Sequence, residues 1–170
     1  MKMNIKKIAS IIVQFTIKRL IEIIGVSISI IGIFLLVALT SYSPTDPNFI
    51  FPENTEIKNI LGFQGSYISD LFFQSIGVIS FLISITLLIT GINIFRRKEL
   101  FLIIENTFFS IFYCIFGALF FSFFYNNTFK LYINGNGGFV GHYLSQTFLG
   151  DILNFQITIS YYFLLFLILG

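Results

Sequence analysis

Charged residues are scarce in this sequence: Asp, Glu, Lys and Arg make up 11% of its 170 residues, against about 25% in an average soluble domain. Hydrophobic residues make up 56% and aromatic residues 19%. A soluble protein of this composition would lack the polar residues needed to cover its surface, so the composition predicts a membrane protein. The net charge of +2 is too small to indicate that this chain binds nucleic acid.

Residues that carry chemistry are scarce as well. The single cysteine, Cys114, excludes an intramolecular disulfide, and together with the single histidine, His142, it is too small a set for a zinc site. The sequence contains no P-loop and no nucleophile elbow. Glu105 lies in an apolar stretch with no second carboxylate, histidine or lysine in mid-membrane to work with it. We therefore predict no catalytic, metal-binding or cofactor-binding residues in this chain.

Four stretches are long and apolar enough to cross a bilayer, which takes about 20 residues of helix. We predict these spans at residues 21–42, 71–95, 100–125 and 152–170. A cleaved signal peptide is the poorer explanation of the first stretch, because its apolar run is too long and no small-x-small site follows it. The sequence thus predicts an all-α, multi-pass membrane protein with a single domain, residues 1–170.

Residues 1–20 combine apolar residues near helical spacing with basic residues between them. Two interpretations fit this pattern. The segment lies in the cytoplasmic interface as an amphipathic helix, or it extends the first span while its basic side chains reach toward the headgroups.

The distribution of basic residues predicts the orientation, because short cytoplasmic flanks are rich in Lys and Arg. The two ends of the chain and the turn at residues 96–99 are therefore expected in the cytoplasm, and loops 43–70 and 126–151 outside. The apolar run at the C-terminus has no charged residue after it, so we expect a cytoplasmic continuation in a longer protein. Eight of the ten basic residues support this orientation: Lys2, Lys6, Lys7, Lys18, Arg19, Arg96, Arg97 and Lys98.

An eight-residue sequence occurs twice with variations, as "GFQGSYIS" at residues 62–69 and "GFVGHYLS" at 138–145. Five of the eight residues are identical, and each copy falls in a predicted outer loop before a returning span. The repeat predicts two related hairpins, each with a short amphipathic element in its outer loop. Its glycines would permit a bend and its Phe and Tyr would lie at the interface. The alternative is chance similarity in a chain rich in these residue types.

The stretch "SYSPTDP" at residues 41–47 ends the first predicted span, because Pro44 and Pro47 cannot continue a helix. It resembles the SYSPxDP signature of the N-terminal membrane domain of FtsK/SpoIIIE-type DNA translocases. Two later stretches, 59–70 and 137–141, are similar to further motifs of the same family. The matching residues are Ser41, Tyr42, Ser43, Pro44, Asp46, Pro47, Asn59, Gly62, Gly65, Asp70, Gly137, Gly138 and Gly141.

This resemblance implies a membrane anchor rather than an enzyme. The anchor would lie in the bacterial cytoplasmic (inner) membrane, place a DNA translocase at the division septum, and serve cell division and chromosome segregation. Its expected partners are the lipid bilayer, other divisome membrane proteins and further copies of itself. ATP, Mg²⁺ and DNA would be bound by a motor domain that this segment lacks, and the matching residues would have structural roles.

A small four-helix transporter or channel subunit is the alternative function. It would require polar residues along a path through the middle of the membrane, and the spans contain few of them. Solute flux through liposomes would favour this alternative, and an ATPase encoded downstream in the same gene would favour the anchor.

Overall fold

The computed structural model describes residues 5–48, 56–126 and 134–169. Within these ranges the structure is helical and contains no strand, so the predicted all-α, multi-pass fold is confirmed. Three helical stretches are long and apolar enough to cross a membrane: Ala9–Thr40, Gly62–Arg97 and Phe101–Phe124. A bent pair of shorter helices near the end of the described residues would be a fourth span if the pair crosses as one unit.

Helix α1 comprises Ile5–Thr40 without interruption. Its continuity favours the interpretation in which the basic N-terminal segment extends the first span. The helix ends shortly before Pro44, as predicted, and the Ser41 hydroxyl donates a hydrogen bond of 2.7 Å to the Val37 carbonyl oxygen in the last turn. The same carbonyl oxygen also accepts the Ser41 backbone N–H at 3.1 Å, so both bonds hold Ser41 against the last turn.

The second span differs from its prediction in where it begins and where it breaks. Helix α2 (Gly62–Ile76) already includes the first copy of the repeated sequence, and a 3₁₀ turn (Gly77–Ile79) joins it to α3 (Ser80–Arg97). The break therefore lies at Gly77, inside the predicted span 71–95, and no bend separates the first copy of the repeated sequence from the helix that follows it. Gly77 has a φ of +70°, a conformation that glycine adopts without steric cost.

Helices α1 and α3 pack as a close antiparallel hairpin along small residues. A Cβ atom on Gly25 would lie 2.7 Å from the Phe95 nitrogen, and one on Gly32 would lie 2.7 Å from the Leu88 nitrogen. The Ser29 hydroxyl donates to the Leu88 carbonyl oxygen at 3.3 Å. Small residues of this kind let helix backbones approach closely inside a membrane, where apolar burial alone provides little attraction.

Helix α4 (Phe101–Phe124) follows α3 after a short turn and is held to it by polar side chains. The Asn106 amide donates to the Thr90 hydroxyl at 2.7 Å, and the Tyr113 hydroxyl donates to the Thr86 hydroxyl at 2.8 Å. These contacts account for polar residues that the sequence places within the second and third spans.

Helix α5 (Gly138–Ser145) coincides with the second copy of the repeated sequence and packs on α4. It is followed by α6 (Phe148–Phe155) and α7 (Ile157–Leu169). The last two helices meet at an angle of 117°, so the predicted span at 152–170 is one span only if this bent pair crosses as a unit. Helix α7 has 13 residues and is therefore about 20 Å long, which is less than the thickness of a hydrocarbon core.

The second half of the chain has its own apolar core between α4, α6 and α7. Its buried residues are Leu119, Phe120, Leu153 and Leu164. The Phe120 ring packs against Tyr161 with ring centroids 5.2 Å apart. This packing explains how a helix shorter than the bilayer is held beside α4.

Candidate functional site

The predicted motif residues form two groups at the ends of helices, and the first is centred on Asp46. This side chain is only 4% exposed. One carboxylate oxygen accepts a hydrogen bond from the Lys58 backbone N–H at 3.0 Å, and the other accepts from the Asn59 backbone N–H at 2.8 Å. The Asp46 backbone N–H donates to the Ser43 carbonyl oxygen at 3.1 Å and closes the turn that contains exposed Pro44. Asp46 thus joins the end of the first span to the segment that precedes α2.

Asn59 makes the corresponding contact in the other direction. Its side-chain amide donates to the Ala38 carbonyl oxygen, 2.9 Å away, in the last turn of α1. Its side-chain oxygen accepts from the Leu61 N–H at 3.0 Å, and its backbone carbonyl accepts from the Gly62 N–H at 2.9 Å. Asn59 is buried, so one side chain satisfies the end of α1 and shapes the start of α2. Gly65 lies directly against this side chain and leaves no room for a Cβ atom.

The remaining members of the first group tie α2 to the end of α1. The Tyr42 hydroxyl donates to the Asp70 carboxylate at 2.9 Å, and the Tyr42 ring lies 4.9 Å from the Phe73 ring between centroids. The Ser66 hydroxyl donates to the Pro47 carbonyl oxygen at 2.8 Å. We call this group the Asp46 cluster: Ser41, Tyr42, Ser43, Pro44, Asp46, Pro47, Asn59, Gly62, Gly65 and Asp70.

The second group is a close crossing of backbones, and we call it the Gly138 cluster: Gly77, Asn136, Gly137, Gly138 and Gly141. The Val78 N–H donates to the Asn136 carbonyl oxygen at 2.9 Å. A Cβ atom on Gly138 would lie 2.6 Å from the Gly77 nitrogen, and one on Gly137 would lie 2.6 Å from the Ser122 Cβ atom. Glycine is required here because two backbones and the face of α4 occupy the space of a side chain.

Both copies of the repeated sequence begin with the same backbone geometry. Gly62 has a φ of +66° and Gly138 a φ of +62°, and each N–H donates to the carbonyl oxygen three residues earlier. The aromatic residues at the second and sixth positions also pair equivalently. The ring centroids are 6.4 Å apart for Phe63 and Tyr67, and 6.2 Å apart for Phe139 and Tyr143.

The copies differ in length and surroundings. Helix α2 continues for 15 residues, whereas α5 ends after eight. Gly65 faces the Asn59 side chain, whereas Gly141 faces the backbone of α4 at Ala118. The structural repeat of two related hairpins therefore stays a prediction, although the first turns of the two copies share one geometry.

A line of polar side chains leads from Asp70 in the Asp46 cluster to Asn134, two residues before Asn136 of the Gly138 cluster. Asp70 accepts a hydrogen bond of 3.5 Å from the Gln74 amide. Asn134 then donates to the Gln74 side-chain oxygen at 3.1 Å. Helices α2 and α5 also contact each other directly. The two predicted groups of motif residues are thus neighbours at one end of the molecule.

Sequence reasoning missed several residues that complete these clusters. Asn136 is fully buried, and its amide donates to the Tyr125 carbonyl oxygen, while its side-chain oxygen has no partner among the described residues. Asn136 lies in the turn-forming stretch before "GGFVG", and this position is the sequence feature that could have indicated its role. Gly77 and Gln74 lie in an apolar run, where nothing in the local pattern indicates a contact with a distant loop.

The chemistry available to the two clusters is that of holding a backbone in place. The carboxylate of Asp46 and the amides of Asn59 and Asn136 all bond to backbone groups. No group of three or more His, Cys, Asp or Glu residues able to hold a metal ion occurs within residues 5–48, 56–126 and 134–169. The fold and these clusters together define a multi-pass membrane domain with tightly built loops at one end.

A family model described as the 4TM region of DNA translocase FtsK/SpoIIIE matches residues 17–170, and the chain belongs to this family. The chain is therefore the membrane part of such a translocase and not its motor. This match agrees with the resemblance carried by the SYSPxDP stretch.

Three relatives named DNA translocase FtsK match this chain over a small part of their own length. The protein of Rickettsia bellii is 36% identical over 74 residues, which are 44% of this chain and 10% of that relative. The protein of Azospirillum brasilense is 29% identical over 87 residues, 50% of this chain and 14% of the relative. The protein of Caulobacter vibrioides is 34% identical over 69 residues, 41% of this chain and 8% of the relative. No solved structure matches the chain.

Proposed function

We propose that this chain anchors a DNA translocase in the bacterial cytoplasmic membrane, at the division septum, during cell division and chromosome segregation. The observation that carries the proposal is the family match over residues 17–170. Matched segments make up about a tenth of the relatives, so translocation itself belongs to a motor outside this segment. ATP, Mg²⁺ and DNA would be bound by that motor, and this segment would require no cofactor.

The structure supports the proposed orientation of the anchor. The Lys98 ammonium lies 2.7 Å from the Glu22 carboxylate, so Lys18 and Arg19 of α1 lie at the same end of the hairpin as the basic residues at the end of α3. Lys58 lies at the opposite end, next to the Asp46 cluster. By the positive-inside rule the Lys98 end would be cytoplasmic and both clusters would face outward.

The outer ends of the helices offer a surface for other membrane proteins. Ile60, Phe63, Phe139 and Tyr143 are all more than half exposed, and they flank the two glycine turns. Exposed aromatic side chains on a rigid support are typical of protein interfaces. We propose that this surface contacts divisome membrane proteins and other copies of the chain, while the buried motif residues maintain its shape.

The test is to image the full-length protein, fused to a fluorescent protein, in dividing cells of its own host. The parent is expected at midcell, and Phe139→Ser should lower the midcell fraction by about half or more, because an exposed interface anchor is lost. Phe101→Ser makes the same change at a residue of similar exposure at the other end of the molecule and should leave localisation unchanged. An even distribution of the parent around the membrane would contradict septal anchoring.

A further inference from the structure

A shallow groove of about 300 Å³ lies at the end of the α1–α3 hairpin that carries the basic residues. It begins at the charged side chains of Arg19 and Glu22 and continues along apolar residues of both helices. The residues that line the groove are Arg19, Glu22, Ile23, Val26, Ser27 and Phe95.

The opening of the groove is positively charged. Residues 18–22 and 96–99 contain five basic and two acidic side chains. The better buried of the two acids, Glu22, is already shared between Arg19 and Lys98. The exposed guanidinium groups of Arg96 and Arg97 add further positive charge beside it. An occupant of this opening should therefore carry negative charge.

The length of α1 indicates where the groove lies relative to the bilayer surface. Helix α1 ends at Thr40, and about 20 residues at 1.5 Å each cover the hydrocarbon core. If Thr40 lies at one surface, Arg19 lies at the other, among the headgroups. Val26 is seven residues further along the helix and lies about 10 Å deeper, beside acyl chains. The groove thus leads from the headgroup region into the hydrocarbon.

We propose that this groove binds one anionic phospholipid. The phosphate would contact Arg19, and one acyl chain would lie along Ile23, Val26 and Phe95. The Arg19 guanidinium has five N–H donors in a planar fork, and one of its nitrogens bonds to Glu22. It also lies over the Phe15 ring, 5.0 Å from the centroid, which restricts its orientation.

The occupant is a lipid rather than a free phosphate ion, because the walls below the opening are apolar. An anionic headgroup is favoured over a zwitterionic one, because only the former compensates the excess positive charge of residues 18–22 and 96–99. Basic pockets between membrane helices bind anionic headgroups in this manner.

The experiment measures lipid bound to the purified chain by native mass spectrometry. The protein is released from detergent micelles that contain phosphatidylglycerol or phosphatidylcholine with the same acyl chains. Phosphatidylglycerol carries a net negative charge and phosphatidylcholine carries none. Because one basic residue beside a net anionic headgroup is worth about fivefold in affinity, bound phosphatidylglycerol should exceed bound phosphatidylcholine by about that factor. Inorganic phosphate at millimolar concentration should leave the bound lipid unchanged. Equal binding of both lipids, or displacement by inorganic phosphate, would overturn the proposal.

Two variants address the groove by independent means. Arg19→Gln removes the proposed phosphate contact, and Val26→Phe fills the groove without changing any charge. Arg19→Gln should lower bound phosphatidylglycerol by about fivefold, and Val26→Phe should lower it as well because the acyl chain loses its place. Circular dichroism shows whether each variant folds. If Arg19→Gln does not fold, Val26→Phe alone decides the result.

Matched controls separate the groove from general effects. Lys58→Gln removes the same charge at the other end of the hairpin, and Val13→Phe adds the same bulk at an exposed position of α1. Both controls should retain phosphatidylglycerol. If Lys58→Gln loses as much bound phosphatidylglycerol as Arg19→Gln does, net charge alone determines binding and the proposed site is refuted. The site is also refuted if Val26→Phe binds as much phosphatidylglycerol as the parent protein.

Discussion

Asp46 and Asn59 each bond to the backbone of a segment beyond their own turn, and in this way they join two parts of the chain. Asp46 accepts hydrogen bonds from two backbone N–H groups, and Asn59 donates one to the last turn of α1. Neither end of the connection between α1 and α2 has regular secondary structure to supply these partners. Buried backbone groups need them, which explains why a carboxylate and a carboxamide occur at these positions.

A substitution at Asp46 tests this role. Asp46→Ala should lower the free energy of unfolding by about 2 kcal/mol, because the Lys58 and Asn59 N–H groups would lose their acceptors. Ser43→Ala removes only an exposed hydroxyl contact with Thr45 in the same turn. It should change the free energy of unfolding by less than about 0.5 kcal/mol. Denaturant unfolding in mixed micelles provides the measurement. Equal stability of the two variants would show that the Asp46 contacts are not needed.

At the scale of helices, close approach of backbones decides the arrangement. The glycines of α1 and α3 permit a tight hairpin, and those of the Gly138 cluster let α5 lie on α4 and against the break at Gly77. A helix that lacks an apolar driving force toward its neighbours gains most from such contacts. Larger residues at these positions should therefore separate the helices.

Gly141 and its neighbour His142 provide a matched pair for this prediction. Gly141→Val places a side chain against the α4 backbone at Ala118, which cannot move aside, and should destabilise the protein by about 2 kcal/mol. His142→Val introduces the same residue on the exposed face of α5 and should cost less than about 0.5 kcal/mol. Thermal unfolding in detergent compares them. Comparable midpoints would show that α5 does not need its close contact with α4.

On the scale of the whole molecule, both motif clusters lie at one end and the basic residues of α1 and α3 at the other. This separation makes the proposed orientation testable by cysteine labelling in a Cys114→Ser background. A membrane-impermeant maleimide should label Lys58→Cys in intact spheroplasts, and it should label Glu99→Cys only after permeabilisation, since charged reagents do not cross the bilayer. The reverse pattern would place the basic end outside.

The length and apolar character of the helices follow from local sequence, and so does the end of α1 before Pro44. An uncharged run long enough to cross a bilayer has few alternatives to a helix, because each backbone polar group needs a partner within the lipid. The SYSPxDP stretch likewise indicated the family. The stretches 41–47, 59–70 and 137–141 were predicted as separate motifs, but the contacts that bring them together, such as those of Gln74, were not.

The sequence by itself determined that the chain is an all-α membrane protein, roughly where its helices lie, and which family it belongs to. Each of these depends on composition or on short contiguous motifs. Only the tertiary structure decided that the second span breaks at Gly77, that the last one bends by 117°, and that Glu22 pairs with Lys98. Hydrophobicity measures how favourable a helix is in lipid, and it is the same for a straight and a bent helix. Bends and pairings depend instead on backbone and side-chain contacts between residues far apart in the chain.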